Sequence, residues 1–419
     1  MNMFFRLTGA EFQKIIRQPV AIVFLAVAIA FVCYFTLGWT INKNEFMPDL
    51  GTDLNVDTYT LLESLRARAE TASYSGRGDE EIFVEAFGRS YKADDIYIAV
   101  TRMDYLLTGE SNRLTYIGSA QRNVEGLSGN PKTLYAMRYN AAIRDALSAR
   151  GKPALMSGDY QARALLVLGG GAEVNFFDAM LMLLCIASLC SLFPRDLETK
   201  TEQITLPTRH GANTLFFSKF SAGFLFIAGA QLLFLVMAFV LFGTRTGYET
   251  FLAPIHSIST FEMTMYDLDF LTLWLAIWGL KTLFSLFLFS FFSFFGLLLK
   301  NRFPAMIFGL LCYGGLYYLS SNFESLSAPF TTETSYFQYM LNKWGHMLNP
   351  ANLSGHPAGY FTSFQYVNIF GYPVKELSVA MALTAFLLLL FTGLCFRLYG
   401  KTGRRDRRLF KMRFSRAGL

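Results

Sequence analysis

The chain has 419 residues, 53% of them hydrophobic, with 43 phenylalanines and a net charge of +6. Its mean hydropathy of +0.33 excludes a protein that stays monodisperse in water. The net charge alone fits a nucleic-acid-binding protein, but its basic residues sit beside apolar runs, which argues for a membrane surface instead.

Six apolar runs organise the sequence: residues 19–41, 174–193, 215–242, 270–299, 303–320 and 377–398. Each reaches about 18 residues or more, enough for a helix to cross the ~30 Å hydrocarbon core. A membrane barrel would show many segments of about ten alternating residues, and that pattern is absent. The fold class expected is an all-α membrane protein with six transmembrane helices, an N-terminal amphipathic helix and a mainly helical extracytoplasmic domain between helices 1 and 2.

Residues 1–18 read as an interfacial amphipathic helix, with Phe5, Phe12, Ile15 and Ile16 on one face and Arg6, Lys14 and Arg17 on the other. Pro19 marks the break into the first span, 19–41, which is too long for a signal-peptide core and lacks a clear cleavage site. Residues 42–173 are hydrophilic but carry apolar residues near the helical period: Leu61, Leu65 and Ala69; Ile96, Val100, Met103 and Leu107; Tyr135, Tyr139, Ile143 and Leu147. Turn signals at Ser75–Gly78, Thr108-Gly109-Glu110 and Gly129-Asn130-Pro131 separate these stretches, which suggests antiparallel helices in a small outer domain.

Residues 174–398 hold helices 2–6, with an outer loop at 321–376 rich in Tyr336, Phe337, Tyr339, Trp344, Tyr360, Phe361, Phe364 and Tyr366. Short helices or re-entrant pieces at headgroup level suit that composition. Residues 399–419 form a basic tail expected to be cytoplasmic and to attract anionic lipid, each basic residue contributing ~1 kcal/mol near the surface. All five cysteines (Cys33, Cys185, Cys190, Cys312, Cys395) lie in apolar runs, so a disulfide-stapled outer domain is excluded.

Charge sets the expected orientation. Arg6, Lys14, Arg17, Arg195, Lys200, Arg209, Lys219, Lys300, Arg302 and the tail fall on one side, against Arg245, Lys343 and Lys375 in the short loops of the other. By the positive-inside bias both termini are expected inside, in a bacterial cytoplasmic membrane.

Catalytic signatures are missing. There is no GxxxxGK[ST], no HExxH, no Cys/His ligand spacing and no GxSxG among the 419 residues. No catalytic residue, metal or cofactor is therefore expected in the chain itself. Two ionisable residues do stand inside apolar runs, Asp178 in the second and Lys281 in the fourth. Unpaired at a helix centre each would cost about 2.5–3.5 kcal/mol. Either the two pair across the spans, or Lys281 reaches outward alone among Trp274 and Trp278.

The loop between the second and third runs carries the functional signal. It includes Asp196, Glu198, Thr199, Thr208, Arg209, His210 and Gly211, and Lys219 follows at the start of the third run. An acidic residue, threonines, a Thr-Arg-His-Gly turn and an opening lysine in this order resemble the membrane subunits, or permeases, of type-2, exporter-like ATP-binding-cassette transporters. The stretches Leu348-Asn349-Pro350 and 366–374 are similar to that family's loop before its sixth span. At Thr199-Lys200 the chain departs from the commoner Thr-Gly.

The resemblance implies that residues 196–209 form a coupling helix gripped by a separate ATP-binding cassette subunit, which would hold the ATP and Mg. It also implies pairing with a second permease, identical or related, and an amphipathic cargo such as peptide, drug or lipid. The partners expected are thus the cassette subunit, the second permease and membrane lipid, with no nucleic acid. The competing expectation is a membrane sensor or scaffold whose outer domain binds a ligand such as an antimicrobial peptide.

Overall fold

A computed structural model describes residues 2–19, 21–23, 25–30, 33, 93–129, 133–151, 192–194, 211–246, 248–257, 261–326, 344–345, 349–355, 357–362 and 364–416. The chain opens with helix α1 (Asn2–Ile16). A bend of 73° then separates Phe4–Ile16 from the helical segment Ala21–Ala30, where Pro19 interrupts the backbone ladder. Thr8, Glu11 and Ile15 are buried and Phe12 packs against the core, while Phe5 and Ile16 are exposed. The positions i, i+3, i+4 and i+7 thus form the protein-facing stripe. Glu11 sits in it because Lys14 donates to its carboxylate at 2.7 Å.

Two helices come from the polar insert: α2 (Ala93–Leu127) and α3 (Leu134–Ala149). They pack side by side. Helix α2 runs without a break through Thr108-Gly109-Glu110, where the sequence suggests a turn. Glu110 and Arg113 form a two-pronged ion pair one turn apart, at 2.6 and 2.8 Å, that braces this stretch. Gly109 serves contact instead of bending, since a Cβ there would touch the Glu262 side chain at 3.4 Å. The turn signal at 129–131 does end α2, with Gly129 at φ +89°.

The apolar bundle comprises α4 (Gly211–Thr246), α5 (Phe270–Leu299) and α6 (Arg302–Leu326). Among the described residues three helices are long and apolar enough to cross a membrane: Asn213–Leu241, Phe270–Leu299 and Glu376–Gly400. The bent pair at the N-terminus makes a fourth if counted as one span. The apolar part of α6, Arg302–Leu316, is shorter, and all but the end of the run at 174–193 lies outside the described residues.

Helix α5 is the centre of the bundle, packed against α4, α6 and the C-terminal helix. Asp269 caps it by accepting from the Thr272 amide at 2.6 Å. At its other end Lys300 takes a left-handed conformation, φ 54°, and its amide returns to the Gly296 carbonyl. Asn301 then accepts from the Phe303 amide at 3.0 Å, so α6 reverses direction within two residues.

Beyond α6 the described residues include two single-turn helices, α7 (Asn352–Gly355) and α8 (Gly359–Thr362). An antiparallel hairpin follows, β1 (Tyr366–Ile369) paired with β2 (Tyr372–Lys375) in the register Tyr366↔Lys375 to Ile369↔Tyr372. Helix α9 (Glu376–Arg416) starts at the residue after β2 and continues for 41 residues. At 1.5 Å per residue that is about 60 Å, twice the hydrocarbon thickness. The basic tail at 399–419 continues the last apolar helix as far as Arg416.

Candidate functional site

Two junctions, one at each end of the bundle, gather the described long-range contacts, and the first holds Lys219. The first lies where the run at 174–193 gives way to the charged loop. Leu192 and Phe193 are buried against the first turns of α4 and the middle of α9. The Phe193 ring lies 5.7 Å from Phe216, 6.2 Å from Phe220 and 5.8 Å from Tyr399. Phe216 also meets Phe396 at 5.4 Å, edge to face, and Phe220 lies tilted against Phe289 of α5 at 4.9 Å. Offset and edge-on pairs of this kind add about 0.5–1.5 kcal/mol each beyond the area they bury.

Lys219 completes this junction. It is fully buried, and its ammonium donates to the Leu192 carbonyl at 2.9 Å while lying 5.6 Å from the Phe193 ring centre. The residues just before and just after the loop at 195–210 are thereby tied to each other. Asp196, Glu198, Thr199, Thr208, Arg209 and His210 themselves lie outside the described residues, as does Asp178.

Lys281, the second buried cation that the sequence singles out, stands in α5 with 1% exposure. Its ammonium lies 5.6 Å from the Trp278 ring centre. One turn further, Ser285 donates to the Lys281 carbonyl at 2.8 Å and receives the Gln231 side-chain amide from α4 at 3.2 Å. A second polar link joins α5 to α9, where the Ser290 and Thr392 hydroxyls are 3.2 Å apart and the Cys395 thiol points to the Ser290 carbonyl at 3.4 Å.

The other junction brings the insert on to the opposite end of the bundle. Arg138 of α3 donates to the Gly371 carbonyl at 3.0 Å, and its guanidinium covers the Tyr372 ring at 3.9 Å. Tyr139 meets Tyr366 edge-on at 5.7 Å. Ala120, Ile143, Leu147, Met265 and Tyr366 form a small apolar core of their own. Arg150 donates to the Glu262 carbonyl at 2.6 Å, and Asn112 to the Glu262 carboxylate at 3.1 Å. The insert is thus held on both the loop that links α4 to α5 and the hairpin that leads into α9.

Burial colours the ionisation of this junction. Burial and the neighbouring Arg113 guanidinium push the Arg150 pKa down. The Tyr266 phenol is pushed up to about 12, by burial first and then by the nearby Tyr366 and Glu376. Burial also raises Tyr360 and Tyr366 and lowers Lys375, whose ammonium lies 4.3 Å from the Tyr266 ring centre.

The hairpin tip is the feature that sequence reasoning missed. Phe370 and Gly371 both have positive φ, 51° and 82°, which matches the two central residues of a type I′ turn. Asn-Gly is the usual signal for that turn. Here a phenylalanine takes the first place, and Asn368 supplies the stabilising bond by accepting from the Gly371 amide at 2.8 Å. The Phe370 side chain is 96% exposed.

Long apolar helices with a buried lysine in their midst, and a polar insert docked at one end, define a helical membrane protein. No model of a protein family matches the chain, and a search of curated proteins finds no similar sequence.

Proposed function

We propose that this chain is the membrane subunit of an ATP-driven, exporter-like transporter, working with a separate ATP-binding subunit and a second membrane subunit. The observation that supports this most is the anchoring of the loop at 195–210. A soluble motor displaces a membrane helix only through an element that does not give way. The Lys219–Leu192 bond and the aromatic cluster around Phe193 hold both flanks of the loop against α4 and α9. Glu198 and Arg209 would then meet the cassette, while Lys219, fully buried, keeps the base of the loop rigid. ATP and Mg would reside on the partner, and the cargo would be amphipathic.

The test is direct. In vesicles that also hold the ATP-binding subunit, Glu198→Ala and Arg209→Ala should leave ATP hydrolysis running while cargo movement stops. Transport that persists in both variants removes the coupling role. An impermeant thiol reagent that reaches a cysteine placed at Gln203 only from the cell exterior removes the whole reading.

A second reading, a membrane sensor, is favoured by one observation. The insert is clamped on to the hairpin that runs directly into α9, so a ligand on the insert has a mechanical route to the bundle. Saturable ligand binding to the intact chain without any ATPase partner would support it over the transporter.

A further inference from the structure

Helix α9 joins the two junctions as a single piece. Its first residue, Glu376, follows Lys375 of β2 with no linker, and the Glu376 amide donates to the Gln365 carbonyl at 2.9 Å, closing the hairpin base on to the helix. The hairpin is gripped by α3 through Arg138 and Tyr139. From Glu376 to Tyr399 the helix covers about 35 Å at 1.5 Å per residue. No proline interrupts it between 376 and 416.

Along its length α9 is keyed to α5 by Phe391, which packs on Phe287, Phe291 and Phe294. The Ser290–Thr392 and Cys395–Ser290 contacts add polar keys at the same interface. Phe396 and Tyr399 then enter the aromatic cluster that holds Phe193, one residue before Pro194 and the charged loop. Every step in this route is a direct contact or an unbroken backbone.

We infer that α9 is a transmembrane push-rod. A change in how the insert sits on the β1–β2 hairpin moves α9 as a unit and repacks the aromatic cluster at the base of the loop at 195–210. Interlocked aromatic contacts favour discrete rearrangement over gradual bending, which is what transmission over this distance requires. The inference concerns this chain alone and holds whether or not the loop meets an ATPase, so its failure and that of the transporter reading are separable.

Cys395 is a built-in reporter, because it is fully buried at the α5–α9 interface close to the far junction. The full-length chain would carry it as the sole cysteine, with Cys33, Cys185, Cys190 and Cys312 changed to serine, in lipid nanodiscs. The rate of maleimide labelling is the readout. Loosening the hairpin with Arg138→Ala plus Tyr139→Ala should raise that rate roughly 2- to 30-fold, the range that couplings through packed networks span. Two glycines inserted between Lys375 and Glu376 should abolish the response to the same pair of substitutions. Should the double variant not fold, Tyr372→Ala removes the ring under Arg138 and serves in its place. An unchanged rate in a folded variant overturns the proposal. So does an equal rise with and without the glycine insertion, because the signal would then bypass the rod.

Discussion

The two ends of the bundle are held by different physics. At the hairpin end directional polar contacts (guanidinium to carbonyl, amide to carboxylate, cation over aromatic ring) surround a small apolar core. At the end near the charged loop they are rings packed on rings around one buried lysine. Hydrogen bonds to partly exposed loops exchange readily with water, whereas a buried aromatic cluster has no such substitute. The hairpin end is therefore suited to opening and closing, and the loop end to holding its shape until the helices themselves move.

The largest expected effect breaks the second of these. Lys219→Ala removes a buried side chain together with a charge-assisted bond to Leu192, and should cost about 3 kcal/mol, read as a drop in the thermal unfolding midpoint in detergent. Lys219→Arg, which keeps a donor, should cost clearly less.

Next comes Gly223. A Cβ there would overlap the Phe289 ring, so Gly223→Ala should destabilise by about 1–3 kcal/mol through overpacking. Phe289→Leu in the same chain should restore part of the loss.

At the hairpin end, Arg150→Ala should cost about 1 kcal/mol. The loss should appear as faster hydrogen exchange in α3, with little change in the unfolding midpoint of the bundle.

The smallest effect is alkaline. Because Tyr266 stays neutral in the fold up to about pH 12, against 10.0 for a free phenol, its contribution is complete below pH 10 and is lost between about 10 and 12. Lys375 acts with the opposite sign. Its proton is released below the ordinary 10.5, so raising the pH toward 10.5 relieves the burial of charge. Docking of the insert should hold or strengthen slightly up to about pH 10 and weaken above it. Tyr266→Phe should reduce the weakening, with Tyr366 and Tyr360 keeping their share, measured by hydrogen exchange and by the phenolate absorbance.

Legibility in the sequence follows the same division. The run at 270–299 coincides with α5, and the runs at 215–242 and 377–398 fall inside α4 and α9, because apolar content alone marks such helices. The insert's helical periods also reappear, Ile96–Leu107 within α2 and Tyr135–Leu147 within α3. What escaped depends on tertiary contact. The hairpin was hidden because Phe370 replaces the usual turn residue and Pro373 sits within a strand, where proline ordinarily argues against one. The span of α2 across Gly109 was hidden because that glycine accommodates Glu262, 153 positions away by residue number (262 minus 109). Lys219 and Lys281 stood out as charges beside or inside apolar runs, but nothing local indicates that the first would reach back to Leu192.

The Arg138–Gly371 contact joins positions 233 residues apart, and that separation sets a schedule for biogenesis. At 5–20 residues per second, a ribosome needs roughly 12 to 47 s to deliver the hairpin after the arginine has emerged. For that interval Tyr139 lacks its partner Tyr366, and the apolar side of α3 has α2 but not the hairpin to cover it. Nascent chains of this protein thus wait through a long stage that ends when the hairpin, made just ahead of the last helix, reaches α3.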